Sequence, residues 1–304
     1  MGSWLLYGLG SDNGNLPGYL DLTPKDNRTF PSGSLPSVYS GAPIIKPDNN
    51  DKGLKWDNLT ANFKRQREHL DFIRKLNSDS NPLETELRNR ELAFRMQSVA
   101  PGIMDLDQES EATRKRYGIG ENHTDEFGRT LLLARRFAEF GVRYIAATHS
   151  TSRYGSLWDQ HANLEKGHRG NAHAVDQPIA ALLSDLEARG LLDDTLVLCG
   201  SEFGRTPSRE LFDGQMGRSD NGRDHNPHGF TMWMAGGGTK AGYHHGATDD
   251  YGFYATENKV SIHDLHATIL HLMGIDHERL TFPFQGRDYR LTDVHGKVVH
   301  EILR

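Results

Sequence analysis

Apolar positions recur at helical spacing along much of the chain, and the stretches that carry them define its elements. Phe63, Leu70 and Ile73 mark a helix over about 61–76. A second helix starts after Asn81-Pro82, where proline suits a first turn, and carries Leu83, Leu87, Ala93, Phe94 and Met96. A charged third one covers about 105–117. From about residue 125 the rhythm becomes helix, strand, helix, strand. Helix 125–140 shows Leu131, Leu132, Ala134, Phe137 and Phe140, and Gly141 closes it. Strand 142–148 follows, then a polar loop to about 175, helix 176–189 and strand 195–200. A further polar loop precedes strand 229–235, and helix 263–273 is the last firm element. This alternation predicts an α/β domain with a mostly parallel sheet, built mainly from residues 125–304. Residues 1–60, crowded with Gly, Pro, Ser, Asn and Asp and lacking periodicity, read as an irregular surface wrap, leaving 61–304 as the α/β domain.

Ligands of open α/β sheets sit beyond the carboxyl ends of the strands. The strand Val142–Ala147 runs out toward Trp158-Asp159-Gln160-His161. The apolar run Leu196-Val197-Leu198-Cys199 ends in Gly200-Ser201-Glu202-Phe203-Gly204-Arg205, and Gly222-Arg223-Asp224-His225 follows. Asp159, His161, Glu202 and His225 are therefore candidate ligands of one divalent metal. Asp159 and His161 stand two apart, so an extended segment would turn both to one side. Carboxylate and imidazole donors without thiolate suit zinc, manganese or iron better than calcium. Arg205 and Arg223 are candidates for binding an anionic phosphate or sulfate, whose shape a guanidinium matches. A plain ion pair between Glu202 and Arg205 stays open beside the metal reading.

Other chemistry is weaker. His263, His266 and His271 fall in a helix whose Leu265, Ile269, Leu270 and Leu272 supply core, so a structural role is preferred there. Ser201 follows a strand as an elbow nucleophile would, yet its surroundings lack the G-x-S-x-G glycines. Cys199, the one cysteine, reads as a small buried hydrophobe and excludes an internal disulfide. A net charge of -6 implies no nucleic-acid surface. No run is long and apolar enough for a membrane span, and no signal peptide is visible, so the chain as written is expected in the cytoplasm.

The motifs Met1-Gly2-Ser3-Trp4, Tyr7-Gly8-Leu9-Gly10-Ser11, Glu91–Gln97, Trp158-Asp159-Gln160-His161, Gly200–Pro207, Gly222–Pro227 and His263–Thr268 carry a resemblance that spans nearly the whole chain. The sequence resembles a bacterial domain-of-unknown-function family, numbered fifteen-oh-one, assigned to the alkaline phosphatase and sulfatase superfamily. That resemblance implies a three-layer α/β/α sandwich and a metal-dependent hydrolase of phosphate or sulfate esters, acting on a small anionic ester or a sulfated or phosphorylated glycan. It also implies a metal half-site, zinc or manganese, with Asp159 and His161 as the Asp/His pair, Glu202 as the acidic ligand and His225 as the late histidine. Glu202 departs from the Asp-His pair usual at that point, which bears on metal number. Members begin with an export signal, a first strand with an acidic ligand and then the nucleophile region. Met1 falls well inside that pattern, so the resemblance implies an N-terminally truncated chain that catalyses poorly alone. The competing expectation is a non-catalytic binding or structural module that keeps the fold.

Overall fold

The computed structural model describes residues 1–22, 32–44, 63–76, 84–149, 158–210 and 221–304. Its two units, Met1–Arg153 and Tyr154–Arg304, each have their own core. In the first unit, helix α1 (Gly2–Leu9) buries Trp4, Leu5 and Leu6. Strand β1 (Tyr19–Leu22) is buried at every position and pairs in parallel with β2 (Ala42–Pro43). Helices α2 (Phe63–Leu76), α3 (Glu84–Met104), α4 (Glu111–Arg116) and α5 (Asp125–Glu139) follow. From α5, which buries Leu131, Leu132, Leu133 and Phe137, the chain enters β3 (Tyr144–Ala147). β3 lies parallel to β1 on the side away from β2, with Tyr19 opposite Tyr144 and Leu22 opposite Ala147. Gly2 has no side chain because none fits: a Cβ there would stand 2.5 Å from the Tyr144 ring.

The second unit opens on a strap, residues 158–163, and a long helix α6 (Leu164–Ala188). Then come β4 (Val197–Cys199), β5 (Gly204–Arg205), β6 (His225–Asn226) and β7 (Trp233–Ala235). β4 pairs with β7 and β5 with β6, both antiparallel. The hairpin β8 (Ala247–Thr248) with β9 (Ala255–Glu257) leads to α7 (Ile262–Leu272), and β10 (Phe282–Phe284) with β11 (Arg287–Tyr289) completes the elements. A capping box between Ser261 and Asp264 starts α7, whose Leu265, Ala267, Ile269 and Leu270 are buried.

Several expectations need correction. The opening segment is no surface wrap where it is described, because α1 is packed and β1 is the central strand of the parallel sheet. The sequence concealed β1 because it is four residues long and has Asp21 in its middle. Residues 23–31 and 45–62 of the opening, and the helix start at Asn81-Pro82, lie outside the described residues. Among the described residues, seven α-helices accompany a single parallel sheet, which has only three strands. The expected strand 229–235 survives as β7 but runs antiparallel to β4. The charged 105–117 segment divides into a 3-10 turn at Leu106–Gln108 and α4. α6 begins twelve residues before the expected 176, because Gly167, Gly170 and Pro178 disguise a helix that burial of Asn171, Pro178, Ala181, Leu182 and Leu186 sustains. No described helix is long and apolar enough to cross a membrane.

Candidate metal centre

Three short segments of the second unit meet at one place. The strap makes a tight turn in which the His161 amide donates to the Asp159 carbonyl at 3.1 Å. Both side chains therefore turn to one side through a bend, in place of the extended segment expected. Gln160 lies over α6 at Gly167, where a Cβ would come within 2.6 Å of its amide. The second segment is the β5–β6 pair. Arg205 and His225 stand directly opposite in its register, which places both side chains on the same face. The third is the run Asn221–Asp224, drawn against the strap by Arg223 N–H to Gln160 C=O at 3.1 Å and by Leu164 N–H to the Asn221 side chain at 2.9 Å. Gly222 permits this approach, since a Cβ would fall 1.8 Å from the His161 carbonyl oxygen.

At their junction the ligand atoms form a small triangle. Asp159 Oδ1 is 3.0 Å from His161 Nε2 and 3.1 Å from His225 Nε2, and the two Nε2 atoms are 3.2 Å apart. Two imidazole nitrogens facing one carboxylate oxygen concentrate lone pairs where a cation is favoured. Ligand atoms of a tetrahedral zinc, at roughly 2.0–2.1 Å from the ion, stand about 3.3 Å apart. The three edges match one face of such a site. Side-chain exposures of 39%, 34% and 44% for Asp159, His161 and His225 leave the triangle open to a ligand from solvent.

The surroundings set the charge. Arg205 donates from Nη2 to Asp159 Oδ1 and from Nη1 to the Arg223 carbonyl at 3.0 Å. That guanidinium, opposed by burial and helped by His225, holds the Asp159 carboxyl below its ordinary value. On the far side of the His161 ring, Nδ1 meets Glu210 Oε2 at 2.6 Å. Asp224 joins His161 and Glu210 in a second group whose ligand atoms all lie within 4.8 Å of one another. The Phe203 ring packs on His225 with centroids 4.3 Å apart.

A family model described as "Protein of unknown function (DUF1501)" matches residues 1–303. The chain belongs to that family. No curated protein and no solved structure matches it.

In this member of the family, the structure brings together Asp159, His161, His225 and Arg205. It does not bring in Glu202, which is exposed and in neither group of ligand atoms found among the described residues. The alternative pairing of Arg205 is also settled differently, since its carboxylate partner here is Asp159. Arg223 turns its guanidinium to its own loop, donating to the carbonyls of Asn221 at 2.6 Å and Gly222 at 3.2 Å. Ser201 donates its hydroxyl to the Phe203 carbonyl at 2.7 Å. Glu210 and Asp224 were missed. Glu210 sits in a polar loop with no periodicity to single it out, and its partner is distant in sequence. The place of Asp224 beside His225 was the one signal available for it.

Proposed function

We propose that this chain is a sulfatase-like, metal-dependent hydrolase of phosphate or sulfate esters. The triangle of Asp159, His161 and His225 supports this reading most directly, because its donor types and its 3.0–3.2 Å edges suit a zinc-sized ion. Manganese is the second metal compatible with a carboxylate and imidazole set. When bound, such an ion supplies Lewis-acid polarisation of an ester oxygen. Asp159 and the two imidazoles would hold it, and Arg205, with side-chain exposure of 18%, borders the same face and would be matched to an anionic phosphate or sulfate. Glu202 is not needed for the three-donor face. The substrate class proposed is a small anionic ester or a sulfated or phosphorylated glycan, and the fold that goes with it is the alkaline phosphatase-like three-layer α/β/α sandwich.

The test begins with metal and ends with turnover. Zinc and manganese binding to the chelator-treated full chain is measured by titration calorimetry, with aryl phosphate and aryl sulfate hydrolysis assayed beside it. Binding of one ion, lost in Asp159→Ala and His225→Ala together with any turnover, is the expected result. Metal binding without turnover of either ester class would favour the non-catalytic module. Absence of metal binding would remove the reading altogether.

A further inference from the structure

We infer that Glu210 is a positioning residue that sets the proton of His161 on Nδ1 and so aims the Nε2 lone pair at the cation; this rests on the metal reading above. An imidazole offers a lone pair from one nitrogen only when its proton resides on the other. His161 Nε2 is the atom 3.0 Å from Asp159 Oδ1 and 3.2 Å from His225 Nε2, so it is the atom that must be bare. Its Nδ1 stands 2.6 Å from Glu210 Oε2, a carboxylate oxygen that only accepts. A proton on Nδ1 satisfies both ends of the ring at once. A proton on Nε2 would point a donor into the metal face and leave two lone pairs opposed at 2.6 Å.

The construction around Glu210 fits that task. Its side chain is 11% exposed, against 34% for His161, so its hydrogen bond is shielded from water more than the ligands themselves. Its amide donates to the Gly222 carbonyl at 3.0 Å, fixing it to the same run that abuts the strap. A carboxylate behind a metal-bound histidine raises the basicity of the ligand and fixes the ring plane. Asp224, within 4.8 Å of both partners, adds negative potential on that side.

The experiment has a metal-free arm and a zinc arm, both on the full chain. Long-range proton–nitrogen NMR of the metal-free protein reads the His161 tautomer directly. The expected state is Nδ1–H in the wild type and in Glu210→Gln, whose amide oxygen still accepts, and a shift toward Nε2–H in Glu210→Ala. Zinc titration should show affinity lowered about 10- to 100-fold in Glu210→Ala and less in Glu210→Gln. Melting of the metal-free variants checks that folding is retained. A wild-type His161 carrying Nε2–H overturns the inference. So does unchanged zinc affinity in both variants, while loss of binding in His225→Ala would leave the metal reading standing. A wild type that binds no zinc overturns both.

Discussion

Gly222 is where one carbon atom decides whether the candidate centre can assemble. Its added Cβ would meet backbone, the His161 carbonyl at 1.8 Å, and not the yielding end of a side chain. Gly222→Ala should therefore separate the strap from the Asn221–Asp224 run and weaken zinc binding at least tenfold; titration showing wild-type affinity would refute the close approach. His266 gives a second residue-scale prediction. Burial, with His263 nearby, pushes its imidazole down to about 4 from 6.5. The unfolded chain then binds more protons than the folded one between those values, so stability is lost as pH falls from about 6.5 toward 4. Urea unfolding at pH 7 and pH 5 should show the loss, and His266→Gln should reduce it. At this scale the sequence was readable where residue type and spacing carry chemistry. Asp159, His161 and His225 stood out for that reason, as did the core role of Leu265, Ile269 and Leu270. Glu210 did not, because a hydrogen bond across a loop leaves no mark on local pattern.

Elements were legible where an apolar stripe marked them, whatever their length. α5 and α7 occupy nearly the expected spans, since each keeps an apolar stripe over three turns or more. Strands of two to four residues, such as β1, β5 and β6, offer too few positions for alternation to show. Pairing direction is likewise a tertiary outcome, which is why β4 and β7 were misjudged. One contact between helices carries unusual weight. Arg136 on α5 donates to the Ile103 carbonyl at 2.6 Å and the Gly102 carbonyl at 2.8 Å, both in the last turn of α3. Those carbonyls have no partner within their own helix. The same guanidinium meets Glu109 at 2.6 Å, which Arg135 also contacts at 2.7 Å. Arg136→Ala should destabilise the chain by about 1–3 kcal/mol, because the buried Ile103 carbonyl loses its donor while Glu109 keeps Arg135. Chemical denaturation would measure it, and a change under about 1 kcal/mol would show the contact to be dispensable.

For the molecule as a whole, every residue of the candidate centre falls within Tyr154–Arg304. Zinc at about a hundred times its Kd should add about 2.7 kcal/mol to stability. Hydrogen exchange should show that gain as slower exchange at 158–163, 204–210 and 221–226, and protection centred on β1 to β3 instead would misplace the ion. The parallel sheet has a different consequence, one of timing. β1 ends at Leu22, yet its partner β3 begins at Tyr144, and both neighbours of this fully buried strand come later in the chain. A ribosome adding about 5–20 residues per second must release most of the first unit before that strand can be flanked. Until then Leu20 and Leu22, destined for complete burial, have only partial cover. Such non-local pairing folds slowly and leaves sticky surface in the interim. β3 is thus the segment whose emergence completes the cover of β1 on its second side.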